Sequence, residues 1–362
     1  MKKLGCNAPY DVPQMLSQKL LAIIQDGFPL VERPYKALAE MLNVSEQDAF
    51  DEVEKMRASG VIRRIGGVYD SKKLGFISRL CAGKVPASSL DFSAEPHSQT
   101  PMEKFAAVVM SEPAITHNYI RSHEYNVWFT VIVENESAIQ TVVDRVCSET
   151  DLHDVHVLTA TKKYKINTVM GKGTNRHSED RRAEESSNFL RTLSEADKFR
   201  IHIACDDIPH TLTPFKDWGV ACDELREDID AKRMRRFGAI LRHQDAGFPC
   251  NAMVCFRLDE KRMTSGECEL NEMLAESRHS EDRRAEESSK IKSLAKKHFV
   301  SHCYERPSFK SFPYNLYAMM HAQTPEELDG FIKESVSLLD NPEYVVLHSL
   351  KELKKTSFRF FA

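Results

Sequence analysis

His117, Tyr119 and Arg121 occupy alternate positions along one apolar stretch of this 362-residue chain, and His302, Tyr304 and Arg306 repeat the pattern in its second half. Alternate residues of a β-strand share a face. Each triplet therefore gathers a proton donor that titrates near neutral pH, a phenol to orient it and a cation to hold a carboxylate. A lone strand histidine is more often structural than catalytic. A His-x-Tyr-x-Arg triplet that occurs twice outlines a site that binds an anion and moves a proton.

The surroundings repeat as well. Arg63-Arg64-Ile65-Gly66-Gly67 precedes the first triplet and Arg235-Arg236-Phe237-Gly238-Ala239 the second; Tyr125-Asn126-Val127-Trp128 follows the first and Tyr314-Asn315-Leu316-Tyr317 the second. Guanidinium groups clamp carboxylate or phosphate bidentately, which makes Arg63, Arg64, Arg235 and Arg236 candidate anion ligands. Neighbours on a strand face opposite ways, so at most one of each pair can meet a given pocket. Tyr125, Trp128, Tyr314 and Tyr317, with Asn126 and Asn315, read either as sheet packing or as a flat wall for a planar ligand. No Gly-x-Gly-x-x-Gly, P-loop, Gly-x-Ser-x-Gly or His-Glu-x-x-His motif is present, so neither a nucleotide site nor a dedicated metal site is indicated.

Two similar domains should carry the repeated residues, and the periodicities supply them. From Gln14 to Ile62 apolar residues recur at helical spacing through Leu20, Ile24, Leu38, Leu42, Val53 and Met56, with Pro29 and Pro34 between the first and second of three helices. Ser45 caps the third, Gly60 ends it, and a strand runs from Val61 to Tyr69. This is a winged helix-turn-helix, repeated in shortened form from Leu193 to Leu241. After each comes a β-α-β-β-α-β order: Phe76 to Val85, Pro101 to Met110, Ala114 to Tyr125, Asn126 to Glu134, Glu136 to Cys147 and Val155 to Ile166 in the first copy. The second copy reads Ala252 to Leu258, Ile291 to Phe299, Val300 to Tyr304, Tyr314 to Gln323, Thr324 to Leu339 and Tyr344 to Lys351. The expected fold class is α+β, with two tandem copies of a winged helix-turn-helix followed by a ferredoxin-like domain. The domains are 1–75, 76–172, a linker at 173–192, 193–248 and 249–362, with an inserted loop at 260–290. Arg176 to Ser187 recurs letter for letter as Arg278 to Ser289; its mixed charge without an apolar stripe reads as a solvated helix or a disordered linker.

Composition narrows the function classes. Net charge is −4 with both signs mixed and 41% of residues are hydrophobic, so nothing global favours nucleic acid or an anionic membrane surface. No apolar run suggests a membrane span and no signal sequence opens the chain, so a cytoplasmic location is expected. Nine cysteines without a Cys-x-x-Cys pair read as reduced thiols.

A winged helix-turn-helix followed by a ferredoxin-like domain resembles the Lrp/AsnC transcription regulators. The third helix, Ser45 to Arg57, nevertheless carries five carboxylates against two cations, and Cys222 to Asp230 is also acidic. Such surfaces repel the DNA backbone, so DNA binding is not expected.

The strings Val61-Ile62-Arg63-Arg64-Ile65-Gly66, Thr116-His117-Asn118-Tyr119-Ile120-Arg121, Ser301-His302-Cys303-Tyr304-Glu305-Arg306 and Phe312-Pro313-Tyr314-Asn315-Leu316-Tyr317 resemble the siroheme decarboxylases, Lrp/AsnC-like enzymes of alternative heme and heme d1 biosynthesis. The resemblance spans nearly the whole chain, the first half looking like one subunit type and the second like its partner. It implies loss of CO2 from the C12 and C18 acetates of siroheme to give didecarboxysiroheme, with no added cofactor because the iron macrocycle is itself the substrate. It also implies His302 or His117 as general acid, Tyr304 or Tyr119 as its orienting phenol, and arginines that select the acetates. Axial ligation of the siroheme iron by either histidine is the rival role. The two halves would form an internal pseudo-dimer, with a further homodimer left open. The other readings are a ligand-responsive regulator and a noncatalytic tetrapyrrole-binding protein.

Overall fold

The sequence periodicities become eleven strands and ten helices in the computed structural model, which describes residues 12–86, 100–150, 152–166, 193–241, 249–258, 276–355 and 358–361. In chain order these are α1 (Val12–Asp26), α2 (Pro34–Leu42), α3 (Glu46–Ala58), β1 (Ile62–Tyr69), β2 (Ile77–Gly83), α4 (Pro101–Ser111), β3 (Ile115–Arg121), β4 (Val127–Val133), α5 (Glu136–Thr150), β5 (Val155–Leu158) and β6 (Lys162–Ile166). The second half adds α6 (Glu195–Ala204), α7 (Pro214–Trp218), α8 (Cys222–Asp230), β7 (Met234–Leu241), β8 (Cys250–Phe256), α9 (Glu276–Lys296), β9 (Val300–Glu305), β10 (Leu316–Ala322), α10 (Pro325–Leu338) and β11 (Tyr344–Lys355). The elements fall into two compact units, one holding both helical repeats and the other both ferredoxin-like repeats.

In the helical unit, local signals fix the ends of the helices. Pro34 opens α2, Asn43 in the left-handed conformation closes it, and Ser45 with Asp48 forms a capping box on α3. The same devices recur as the Ser194–Asp197 box of α6 and left-handed Gly219 after α7. The shortening of the second copy falls on all three helices: α6, α7 and α8 have 10, 5 and 9 residues where α1, α2 and α3 have 15, 9 and 13. The strand after each set of three helices pairs with its counterpart from the other copy: β1 and β7 run antiparallel, with Gly66 opposite Gly238. Arg359 and Phe360 also belong to this unit rather than to the second ferredoxin-like repeat, with Phe360 buried near Tyr69 and Arg359 paired with Asp206.

The second unit is built on one sheet in the order β5-β2-β4-β3-β11-β8-β10-β9-β6. Each half lends the end of its last strand to the other. Tyr344–His348 of β11 pairs with β8, and the strand then runs on along β3; β5 pairs with β2, while β6 crosses to β9. Residues 159–161 alone join β5 to β6, so the chain passes from one end of this strand order to the other within three residues. The expected single strand from Val155 to Ile166 is thus split at the crossover.

Alternation along the strands sorts the core into three clusters. Phe129, Val131 and Ile120 face α4 and α5; Val254, Ala318 and Met320 face α9 and α10. Residues in between, including Ala82, Trp128 and Leu158 from the first half and Cys255, Tyr317 and Leu347 from the second, meet on the helix-free inner face. Helix α9 begins at Glu276, so the second copy of the repeated string takes the helical one of its two expected forms, and the helix continues into the domain beyond the 260–290 bounds expected for an inserted loop. Its first copy and the linker at 173–192 lie outside the described residues. No described helix is long and apolar enough to cross a membrane.

Candidate active site

Both histidine triplets stand on the inner face of the sheet, and the same irregularity delivers each. In β3, Ile115 pairs with Val131 and His117 with Thr130, leaving Thr116 as an extra residue; in β9, Val300 pairs with Met320 and His302 with Met319, leaving Ser301 extra. A bulge of this kind re-aims neighbouring side chains. Here it turns a hydroxyl onto the adjacent imidazole: Thr116 Oγ1 lies 2.8 Å from His117 Nδ1, and Ser301 Oγ lies 2.9 Å from His302 Nδ1. The partner of one ring nitrogen decides which nitrogen carries the proton, so the bulges act directly on proton chemistry.

Below each histidine the tyrosine and arginine stack. The guanidinium carbons of Arg121 and Arg306 each sit 5.0 Å from the ring centres of Tyr119 and Tyr304, and His302 stacks over Tyr304 at 6.2 Å. Arg121 donates to the Leu347 carbonyl at 3.2 Å and to Ser349 Oγ at 3.0 Å; Arg306 donates to the equivalent carbonyl of Leu158. Both bonds reach the strand that crosses from the other half. Burial lowers the pKa of each arginine. In each, Nε is sealed from solvent with no acceptor, and among the described residues neither guanidinium has a carboxylate partner. Buried cations normally pair with an anion, and a guanidinium with an unused N–H is suited to a carboxylate.

The aromatic residues divide between framework and face. Trp128 and Tyr317 are cross-strand neighbours of Tyr119 and Tyr304. Tyr317 is 3% exposed and its hydroxyl has no partner; burial raises its pKa. Tyr125 is held by Asp154 at 2.9 Å and Ser311 at 2.6 Å, while its carbonyl accepts the Trp128 indole N–H. Tyr314 packs edge-on to Phe312, which fills the centre of the inner face. Asn126 and Asn315 are committed to backbone. Each amide accepts from one N–H and donates to the carbonyl of the same residue, Val85 and Leu258 respectively, fixing the chain just beyond β2 and β8.

The repeated arginine pairs lie in the helical unit, and the structure gives them a different employment. Arg64 donates to the carbonyls of Asp206 and Gly67, and Arg236 to those of Gln25 and Ala239. Each therefore caps the C-terminal end of the other copy's first helix, α6 or α1. Burial pulls both pKa values down to about 10. The glycines of the motif make room: a Cβ on Gly66 would lie 2.2 Å from the Asp206 carbonyl, and one on Gly238 would lie 2.5 Å from that of Ile24. Arg235 is paired with Asp70 at 3.0 Å, and Arg63 is half-buried on β1.

Four positions beside the triplets escaped the sequence reading as site residues. Lys163 lies across from Tyr304, Glu352 across from Tyr119, and Ser301 joins His302 to His321. Only register and bulges reveal these neighbours. Among the described residues no cluster of histidine, cysteine and carboxylate side chains is arranged to hold a metal ion.

Comparison with known proteins agrees with this architecture. Residues 17–63 match the family described as siroheme decarboxylase NirDL-like HTH domain, and residues 73–165 and 279–354 match the AsnC-like ligand binding domain. The siroheme decarboxylase of Hydrogenobacter thermophilus is 29% identical over 354 residues, covering 95% of this chain and 94% of the relative. The siroheme decarboxylase alpha subunit of Desulfovibrio desulfuricans is 41% identical over 151 residues, 42% of this chain and 80% of that subunit. The crystal structure of the siroheme decarboxylase NirDL aligns with a TM-score of 0.62 at 26% identity, over 96% of this chain and 94% of that one. The same enzyme solved with an iron-uroporphyrin III analogue gives the same score at 25% identity, over 96% and 95%. The doubled architecture and these similarities together place the chain, with both of its halves in one polypeptide, in the siroheme decarboxylase family.

Proposed function

We propose that this chain removes CO2 from the C12 and C18 acetates of siroheme, giving 12,18-didecarboxysiroheme. The observation that carries the reading is the pair of buried arginines without counter-charge, Arg121 and Arg306, stacked beneath the tyrosines of the two triplets. A macrocycle ringed by carboxylates suits such cations.

Each decarboxylation breaks the bond between the side-chain methylene and its carboxylate carbon. CO2 leaves, the electron pair stays on the methylene carbon, where the conjugated macrocycle delocalises it, and a proton from the protein completes a methyl group. His302 is the donor in this reading, with Tyr304 orienting it and Arg306 holding a carboxylate; His117, Tyr119 and Arg121 are their counterparts. The macrocycle is the electron sink, so no further cofactor enters.

The helix-turn-helix elements keep a DNA-binding reading in view, but the charges on α3 oppose it. Lys55 is paired with Glu52, and Arg57 with Glu54 and Asp207, which leaves the helix net acidic. Anaerobic incubation of the full chain with siroheme, followed by mass spectrometry, tests the proposal. Loss of two CO2 per macrocycle is expected; tight binding without mass loss would leave a carrier, and a salt-sensitive mobility shift with specific DNA would favour a regulator. Replacing His302 with Ala separates the roles, because an acid is lost from the rate whereas an iron ligand is lost from the absorption spectrum.

A further inference from the structure

His321 lies on β10, 5% exposed, with Nε2 2.7 Å from Ser301 Oγ. The same oxygen is 2.9 Å from His302 Nδ1 and makes a longer contact, 3.4 Å, with the Met319 carbonyl. One hydroxyl therefore bridges two imidazoles. A hydroxyl has one proton to donate and two lone pairs to accept with, so it can accept from one ring while donating to the other, the His321 contact being the shorter of its two possible donations, 2.7 Å against 3.4 Å to the Met319 carbonyl.

We propose that His321 is a positioning residue for His302: by accepting the Ser301 hydroxyl proton, it holds the serine oxygen as the acceptor of the His302 Nδ1–H. Two consequences follow from this direction of bonding. The Nδ1 proton is retained, so the proton His302 delivers comes from Nε2. The chain Nδ1–H to Oγ–H to Nε2 is also identical in the imidazolium before delivery and in the neutral imidazole afterwards. In the step itself the Nε2–H bond breaks, the new C–H bond takes the electron pair left by departing CO2, and His302 ends neutral with nothing in its support rearranged. Preorganisation of this kind avoids reorienting dipoles during the reaction.

The device belongs to the second copy alone. Thr116 supplies the equivalent hydroxyl to His117, but Ile132 stands where His321 does: the N–H of Ile132 bonds to the Ala114 carbonyl as that of His321 bonds to the Phe299 carbonyl. Equivalent positions of the two strands thus hold isoleucine in one copy and histidine in the other, and the histidine gives the bulge hydroxyl of the second copy a ring nitrogen to donate to.

This inference rests on His302 being the proton donor, and the test separates the two. Turnover of anaerobic siroheme by the full chain is compared for His321→Phe, His321→Gln, Ser301→Ala and Ser301→Thr, with the ring tautomer of His302 read by 15N NMR. His321→Phe and Ser301→Ala should lower kcat about tenfold, roughly the worth of one lost hydrogen bond, with KM changed less than about twofold. Gln, which keeps an acceptor, and Thr, which keeps the hydroxyl, should restore most of the rate. The Nδ1–H signal of His302 should weaken in His321→Phe and Ser301→Ala only. Wild-type kcat and an unchanged tautomer in His321→Phe would overturn the proposal. Should that variant misfold, an unchanged tautomer and rate in Ser301→Ala would overturn it equally. A fully active His302→Ala would instead remove the donor assignment on which it stands.

Discussion

Glu352 stands directly across the sheet from Tyr119, at the position that Lys163 occupies beside Tyr304. The two triplets are alike in their own strands, yet the crossing strands set a carboxylate across from one tyrosine and an ammonium across from the other, with Lys355 in register with His117 partly offsetting the charge of Glu352 where Ile166 is in register with His302. A carboxylate-bearing ligand should therefore favour the second triplet.

Exchanging the sign tests this directly. Lys163→Glu should weaken siroheme binding by roughly three- to tenfold at low ionic strength, and the difference should shrink in high salt because both positions are exposed and screened. Glu352→Lys should leave binding at the second triplet unchanged. Titration by heme absorbance at two salt concentrations measures both, and a larger loss from changing Glu352 than from changing Lys163 would place the ligand at the first triplet.

The Arg-x-Gly repeat makes a structural prediction. Gly66→Ala and Gly238→Ala each drive a methyl group against backbone, so each should destabilise the chain by about 1–3 kcal/mol, read as a lower urea midpoint with an unchanged slope. Arg64→Lys should also destabilise, since an ammonium cannot span the carbonyls of Asp206 and Gly67 as a guanidinium does. Variants that matched the wild type in stability while losing ligand would return these residues to the anion site.

This contrast shows where sequence was informative. The order of helices and strands was legible because apolar spacing and caps such as Ser45 and Ser194 are local. The His-Tyr-Arg alternation was legible for the same reason, since it lies within single strands. The repeated Arg-Arg-x-Gly reads as an anion clamp because both copies keep it, whereas the approach of β1 to the end of α6 and of β7 to that of α1, where Arg64 and Arg236 meet backbone carbonyls, is a long-range fact that no spacing encodes. Ser301 and His321 stayed hidden because their meeting depends on a bulge, which shifts the register by one residue. The amides of Asn126 and Asn315 illustrate the converse, a repeated polar pair kept for the backbone it pins.

Acid should loosen the helical unit through Asp197. The Ser194 hydroxyl, its backbone N–H and Arg200 hold the Asp197 carboxyl down at about 2, against an ordinary 3.8. A carboxyl depressed in the folded chain contributes stability that is complete above its unfolded pKa and lost as pH falls through the folded one. Stability should therefore drop more steeply between about pH 4 and pH 2 in the wild type than in Asp197→Asn. Denaturant midpoints across that range measure it; parallel curves would mean that the capping box contributes nothing through its charge.

Replacing the uncompensated arginines should separate stability from binding. Arg121 and Arg306 keep charge away from water with no carboxylate partner among the described residues, so an unbranched apolar side chain of similar length relieves a desolvation cost while giving up the bonds of Arg121 to the Leu347 carbonyl and Ser349 Oγ, or that of Arg306 to the Leu158 carbonyl. These effects are of the same order, and because replacing even a whole buried ion pair by apolar side chains of similar volume is often neutral or stabilising by about 1–4 kcal/mol, removing a charge that leaves no opposite charge behind should not destabilise. Arg121→Met and Arg306→Met should accordingly unfold at or above the wild-type denaturant midpoint in the absence of ligand. Binding should respond the other way: Arg306→Met should lose at least about tenfold in siroheme affinity, the worth of a charged hydrogen bond to a carboxylate, and ligand should stabilise it less than it stabilises the wild type. Marked destabilisation of both ligand-free variants would instead make the arginines staples of the strand crossover, and Arg306 would then have no part in holding the macrocycle.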